Sequence, residues 1–321
     1  MKRFLMIGAA ALLMTTASGF TAIARTAVDV NDTKAESTAK PSYTKYKFNC
    51  KNFSKLDLSH TVKAKVIKSD TYKVEVTLPT EFKEYLKVYV KDGELKIRMS
   101  DDLNFNARIQ NKYKSWSFTA VIAMPELRGL EMSGASEFEC EDTFDLGRED
   151  FSLELSGASK IKSLNVNGVE LDAEVSGAAA YKFAGNFRRA DLEVSGAAEG
   201  QWMINADYLE LDASGAGKTK LNGDFGEIRL DASGACDIAL NGNANRLEVD
   251  ASGACNVRAM DLKAQDVFVD ATGASNCHLN AESSLTIDNA SGAANIRYKA
   301  PKDLGVRLKS IGRAASVKRV D

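Results

Sequence analysis

The chain has 321 residues, with 42 basic against 44 acidic side chains and a formal net charge of −2. A balance this close to neutral provides no electrostatic footprint for nucleic acid as the main task. The odd cysteine count, five, argues against a complete disulfide framework.

Residues 1–24 read as a bacterial secretory signal peptide. Lys2 and Arg3 form a basic start, Phe4 to Met14 an apolar run, and Ala22-Ile23-Ala24 a small-x-small cleavage site. The run is too short to span a bilayer, and no second such segment occurs in the chain. Removing it leaves 40 basic and 44 acidic residues, or −4. Residues 25–44 are polar and aperiodic and read as a flexible leader. Residues 45–128 predict a β-rich region continuous with the chain beyond residue 128. HTVKAKVIKSDTYKVEVTLP has the pattern of a hairpin, and LKVYVKDGELKIRMS that of a second one turning at Asp92-Gly93. TEFKEYL between them fits a helical turn.

From residue 129 the chain repeats. A Ser-Gly-Ala motif places glycines at Gly134, Gly157, Gly177, Gly196, Gly215, Gly234, Gly253, Gly273 and Gly292, and SIGRAAS gives a degenerate copy at Gly312. The spacing settles at 19 or 20 residues after a first step of 23. Such regularity fits one structural coil per repeat. Before each glycine the residues alternate: in LELDASGA, Leu209, Leu211 and Ala213 share one parity, Glu210, Asp212 and Ser214 the other. Period two means a strand with one buried face. Alternation resumes after the glycine, and Asn222-Gly223 and Asn241-Gly242 read as turns. No helical period fits inside the repeat.

The expected fold is therefore all-β: a single-stranded parallel β-helix (β-solenoid) of about nine to ten coils over residues 129–315, with a β-rich N-terminal cap region and a basic tail at 316–321. The recurrent glycines are structural corners, where φ > 0 is needed. The residue two past each is small, from Ser136 and Ser159 to Cys236, Cys255 and Ala294, as an inward position beside a corner requires. Cys236 and Cys255 fall on adjacent coils with Cα atoms about 4.8 Å apart. That is within disulfide range, although a stacked pair of buried thiols is the plainer reading.

Three residues before the glycines stand Glu131, Glu154, Glu174, Glu193, Asp212, Asp231, Asp250 and Asp270, then Asn289. Parity turns them outward, beside a column of serines. Stacked at about 5 Å, neighbouring carboxylates repel by about 0.9 kcal/mol at the dielectric of water. Ca²⁺ suits such hard oxygen donors, a basic partner surface would offset the charge equally, and a solvated acidic face is the plainest reading. No cofactor is required by anything in the sequence. Five residues past the glycines lie Lys162, Lys182, Lys220, Arg258 and Arg297. They suit acidic glycans, or else form a solvated face that balances the acidic one. Only His60 and His278 exist, far apart, and no nucleophile motif or Cys/His metal cluster occurs. Catalysis finds little support, although β-helical polysaccharide lyases use similar residue types.

LKVYVKDGELKIRM, the lead-in AVIAMPELRGLEMSGAS and the serial SGA copies together resemble a family of exported bacterial proteins, the putative auto-transporter adhesin, head GIN domain family, common in Bacteroidetes-type bacteria. The resemblance covers about residues 45–315. It implies a β-helical exported protein and surface adhesion, and it brings no catalytic or binding residues with it. The sequence lacks the alternating strands of an outer-membrane barrel at its C-terminal end. The expectation is thus an exported, non-enzymatic binding protein of the periplasm or cell surface. Its expected partner is an envelope or host glycan or protein, not nucleic acid, with no membrane span after signal removal. A structural scaffold without a specific ligand, or a polysaccharide-acting enzyme, are the alternatives.

Overall fold

A computed structural model describes residues 40–100 and 116–320. The expected signal peptide and all but the last residues of the leader lie outside the described residues. The described chain is a parallel β-solenoid of about ten turns.

The regular part starts at residue 129. Strands β8 (Gly129–Met132), β10 (Phe151–Leu155) and β12 (Glu170–Val175) stack in parallel on one side, and β9 (Glu137–Asp145) and β11 (Lys160–Asn167) on the other. From there each coil is one nearly unbroken strand: β13 (Ala180–Val194), β14 (Glu199–Ala213), β15 (Lys218–Ala232), β16 (Asp237–Ala251), β17 (Asn256–Ala271) and β18 (Asn276–Ala290). From β13 to β16 these pair in register from coil to coil, as in Leu211↔Leu230↔Val249, and the pairings of β17 with β16 and β18 carry local register shifts. Inward residues of successive coils stack into one continuous core. Its centre is aromatic, with the Trp202 ring 4.7 Å from Tyr181 and 5.4 Å from Phe183.

The corner glycines are held by two constraints. Gly134 through Gly292 all have φ between +68° and +87°. Each also lies flat on the corner residue of the coil below, so that a Cβ on Gly234 would sit 2.6 Å from the Gly215 carbonyl oxygen. That closeness comes from hydrogen bonds across the corner: the Ala158, Ala178 and Ala216 N–H groups donate to the Gly134, Gly157 and Gly196 carbonyls at 2.7–2.8 Å. Opposite this corner, Asn222-Gly223 and Asn241-Gly242 are not turns between separate strands. They are bends inside β15 and β16 that keep their pairing, Asn222↔Asn241 and Gly223↔Gly242. Side-chain ladders hold the bend, with the Asn241 amide donating to Asn222 at 2.8 Å and the Asn205 amide to Asn186 at 2.8 Å.

Cys236 and Cys255 are joined by a disulfide across adjacent coils, with Cα atoms 4.7 Å apart, in place of the stacked thiols expected from the sequence. Cys50, Cys140 and Cys277 are free.

The N-terminal region differs from expectation in one respect. Strands β3 (Val62–Lys68) and β4 (Lys73–Pro79) do not form a hairpin. Strand β7 (Phe118–Met124) is inserted between them, parallel to β3 and antiparallel to β4, and β1 (Tyr43–Phe48) then adds to β4. The reason is burial: FTAVIAM is nearly all apolar and takes a central place in the sheet, as continuous hydrophobic strands do. The second hairpin forms as expected, β5 (Leu86–Lys91) with β6 (Glu94–Met99), turning at Asp92 and Gly93 with φ of 53° and 76°. Residues Thr80–Tyr85 make the expected helical turn. Parallel stacking thus gives way to antiparallel pairing at this end. At the far end, β19 (Asn295–Lys299) and β20 (Val306–Leu308) both pair with β18. Ser316–Arg319, expected as a tail, forms β21 and pairs with β19.

Strands β2 (Lys55–Leu58) and β3 form a further coil, N-terminal to the SGA repeats. β2 lies under β8 with Leu58↔Met132, and the Ala135 N–H donates to the His60 carbonyl. His60 has φ +71° and takes the glycine position of the first corner.

Candidate functional site

The eight predicted acids fall in one column. Glu131 pairs in register with Glu154, Glu154 with Glu174, and the sequence runs on through Glu193, Asp212, Asp231 and Asp250 to Asp270. The next position is Asn289, whose amide donates to Asp270 Oδ1 at 3.0 Å. The corner glycines form a parallel column three residues on, stacked one above another from Gly134 to Gly292.

The column has a member that the repeat did not reveal. Asp57 of β2 lies directly beneath Glu131. It is buried, and Lys96 of β6 holds it at 2.8 Å while also reaching Glu94 at 2.6 Å. These two partners raise the Lys96 ammonium pKa. The acidic ladder is therefore closed by a lysine at its N-terminal end and by an amide at the other. The signal was available in LDLSHTVKAKV, which matches LELSGASKIKS with histidine for glycine.

Between those ends the charge is only partly offset. Arg189 bridges Asp191 and Glu210 at 2.8 and 3.2 Å, Arg229 lies 3.5 Å from Asp231, and Arg246 links Glu227 and Glu248. Glu154, Glu174, Glu193, Asp212 and Asp250 make no ion pair among the described residues. Partial burial, then like-charged neighbours, raises the pKa of Glu131, Asp212 and Asp250. Carboxylate oxygens of Glu210, Asp212 and Asp231 lie within 4.8 Å of one another. A groove of about 410 Å³ runs past Glu193, Asp212, Asp231 and Asp250. These are hard oxygen donors of the kind that meet Ca²⁺ or ammonium and guanidinium groups.

The serine column contributes less than its position implies. The Ser156, Ser176, Ser195 and Ser252 hydroxyls donate to main-chain carbonyls of the preceding coil at 3.3–3.5 Å. Those hydroxyls fasten the coils.

The second outward face lies past the corner. Lys162, Lys182, Lys220, Arg258 and Arg297 stand on coils of this face, with His278 between the two arginines. Lys162 is held by Glu137 at 3.1 Å, and Arg258 by Asp237. Burial, then Arg297 and Arg258, depresses the His278 pKa. His60 and His278 are eight coils apart, roughly 38 Å at strand spacing, so the structure does not bring them together.

The family model of the putative auto-transporter adhesin, head GIN domain, matches residues 52–202 and 197–301. The chain belongs to this family. The matched span takes in the GIN-domain coil of β2 and β3 as well as the SGA repeats. Solved structures similar to this GIN-domain protein include a putative adhesin from Parabacteroides distasonis (20% identity, 87% of this chain and 98% of that one, TM-score 0.47). A putative lipid binding protein from the same organism (17%, 87% and 97%, 0.43) and a putative adhesin from Parabacteroides merdae (17%, 88% and 98%, 0.42) are also similar. No match was found among curated proteins. No helix among the described residues is long and apolar enough to cross a membrane.

Proposed function

We propose that this GIN-domain protein is an exported, non-enzymatic adhesion module of the cell envelope. It engages a polyvalent glycan or protein partner through its ladders of like side chains. The observation that carries the reading is the register: eight carboxylates on eight successive coils, at strand spacing and fixed in line by main-chain hydrogen bonds. Single contacts to exposed carboxylates are weak. A rigid row of them gains by effective concentration when the partner repeats as well. The family supports an adhesion-type role. The two histidines stand eight coils apart and do not converge as the acid–base partners of one site would. The ladder meets basic partner groups directly or through Ca²⁺.

The test compares parent protein with an Asp212→Asn/Asp231→Asn/Asp250→Asn variant for retention on intact bacterial and host cell surfaces, with and without Ca²⁺. Retention falling at least tenfold in the variant is the expected result, and a Ca²⁺ requirement in the parent alone identifies the bridging ion. Equal retention of the two proteins overturns the acidic ladder as the contact face. Protease shaving of intact cells, with loss of the protein expected, tests exposure at the cell surface against residence in the periplasm.

A further inference from the structure

The face past the corner carries a trough that the acidic ladder does not touch. It runs along the coil axis across six strands, from β11 to β17, between two outward columns two residues apart. Lys160, Ala180, Glu199 and Lys218 form one wall, and Lys162, Lys182, Gln201 and Lys220 the other, with Arg258 and Asp237 at the end. The trough's volume is about 410 Å³. Six cations and two carboxylates line it. One carboxylate, Asp237, is already engaged by Arg258. Lys160, Lys182, Lys218 and Lys220 make no ion pair with the described residues. In a chain of net charge −2 this is a local concentration of unmatched positive charge.

The floor is main chain and apolar. It consists of the strand backbones at Ile161, Tyr181, Gly200 and Thr219, with the Ile161, Tyr181 and Thr219 side chains buried beneath it. Ala180 opens the trough where a longer residue would fill it, and Gly200 leaves room beneath the floor for the buried Tyr181 ring.

We propose that this trough binds a linear acidic polysaccharide bearing carboxylates or sulfates. An extended sugar chain rests its C–H faces on the apolar floor while its anions meet lysines on both walls, at intervals set by the ~4.8 Å strand spacing. Lysines serve here as flexible point charges and do not demand one fixed anion geometry. Two other polyanions fit less well. An acidic peptide in extended form would find the floor's peptide groups already engaged in interstrand ladders. Single-stranded nucleic acid needs exposed aromatic faces for its bases, and the one aromatic residue here, Tyr181, is 3% exposed. The inference deepens the adhesion reading by naming a ligand class, but it stands on a different face from the carboxylate ladder.

The experiment titrates the full chain with polygalacturonate and with dextran sulfate, using neutral dextran as blank and poly-glutamate and single-stranded DNA as competing polyanions. Binding to one or both acidic polysaccharides in about 50 mM NaCl is expected, lost in about 0.5 M NaCl as screening shortens the reach of the lysines. The arm that binds tells carboxylate from sulfate. A Lys182→Gln/Lys218→Gln/Lys220→Gln variant should bind at least tenfold more weakly with an unchanged circular dichroism spectrum. Lys182→Gln alone should show part of that loss, and Lys302→Gln none. The proposal falls if the triple variant binds as the parent does, if poly-glutamate or DNA binds as tightly as the polysaccharides, or if neither polysaccharide binds. The Asp212→Asn/Asp231→Asn/Asp250→Asn variant should keep its affinity for the polysaccharides. Its failure in the cell-surface assay is thereby distinguishable from failure of the trough.

Discussion

At Gly234 the need for glycine has two separable parts. A φ of +84° costs a non-glycine residue about 1–2 kcal/mol. The Gly215 carbonyl, 2.6 Å from where a Cβ would stand, adds a clash between two hydrogen-bonded main chains that has no flexible side chain to yield. Gly93 isolates the first part, since it has φ +76° and nothing within 4 Å of its Cβ site. Urea denaturation should therefore show Gly93→Ala losing about 1 kcal/mol and Gly234→Ala at least twice that. Equal losses would mean that the coils can move apart freely at the corner. His60 fits the same account: it bears a Cβ at φ +71°, and among the described residues it opens the column, with no corner glycine stacked below. Histidine is one of the residues that visits this region more readily than most. The positive φ was legible in the repeated SGA. The contact was not, because it depends on how closely the coils stack. The disulfide was half legible for a similar reason: spacing put Cys236 beside Cys255, but spacing alone does not separate a bond from two stacked thiols.

At the scale of strands, the sequence specified alternation and missed neighbours. Period two in LELDASGA gave the buried and exposed parity of every coil, and with it the acid column. It could not show that β7 slides between β3 and β4, since pairing order depends on which strand is apolar on both faces. Nor did it show Lys96 closing the column, because that lysine comes from a strand outside the repeat. Within the column, Asp212 and Asp250 have raised pKa values, through burial first and neighbouring carboxylates second. A carboxyl whose folded pKa exceeds its unfolded value destabilises the fold above the folded pKa, and the penalty fades as pH falls through that value. Replacing Asp250 by Asn should raise the melting temperature at neutral pH in low salt. The gain should shrink as pH falls into the carboxylate range, and again in about 0.5 M NaCl. A gain independent of both would assign the effect to packing or hydrogen bonding and not to charge.

For the whole molecule, the consequence of a solenoid is that each coil answers only to its neighbours. Stability is then a sum of coil terms and interface terms, and no coil is unique provided the register survives its loss. Residues 215–233 make one such period of 19 residues. Cutting them out joins Ser214 to Gly234, which keeps the Ser-Gly-Ala corner intact and sets β14 directly against β16. Trp202 then stacks on Leu240 where it had stacked on Leu221, and the Cys236–Cys255 bridge is retained. Removing only residues 215–224 deletes about half a period. It puts every later coil out of step with the coils before the cut, so that inward positions of one no longer meet inward positions of the other. The first deletion should give a soluble protein with one cooperative urea transition and an m-value lower by roughly the share of surface removed. The second should give an aggregated or unfolded chain. If both deletions unfold alike, the coils of β14 and β16 depend on contacts beyond their neighbours, and one-dimensional stacking does not describe this protein.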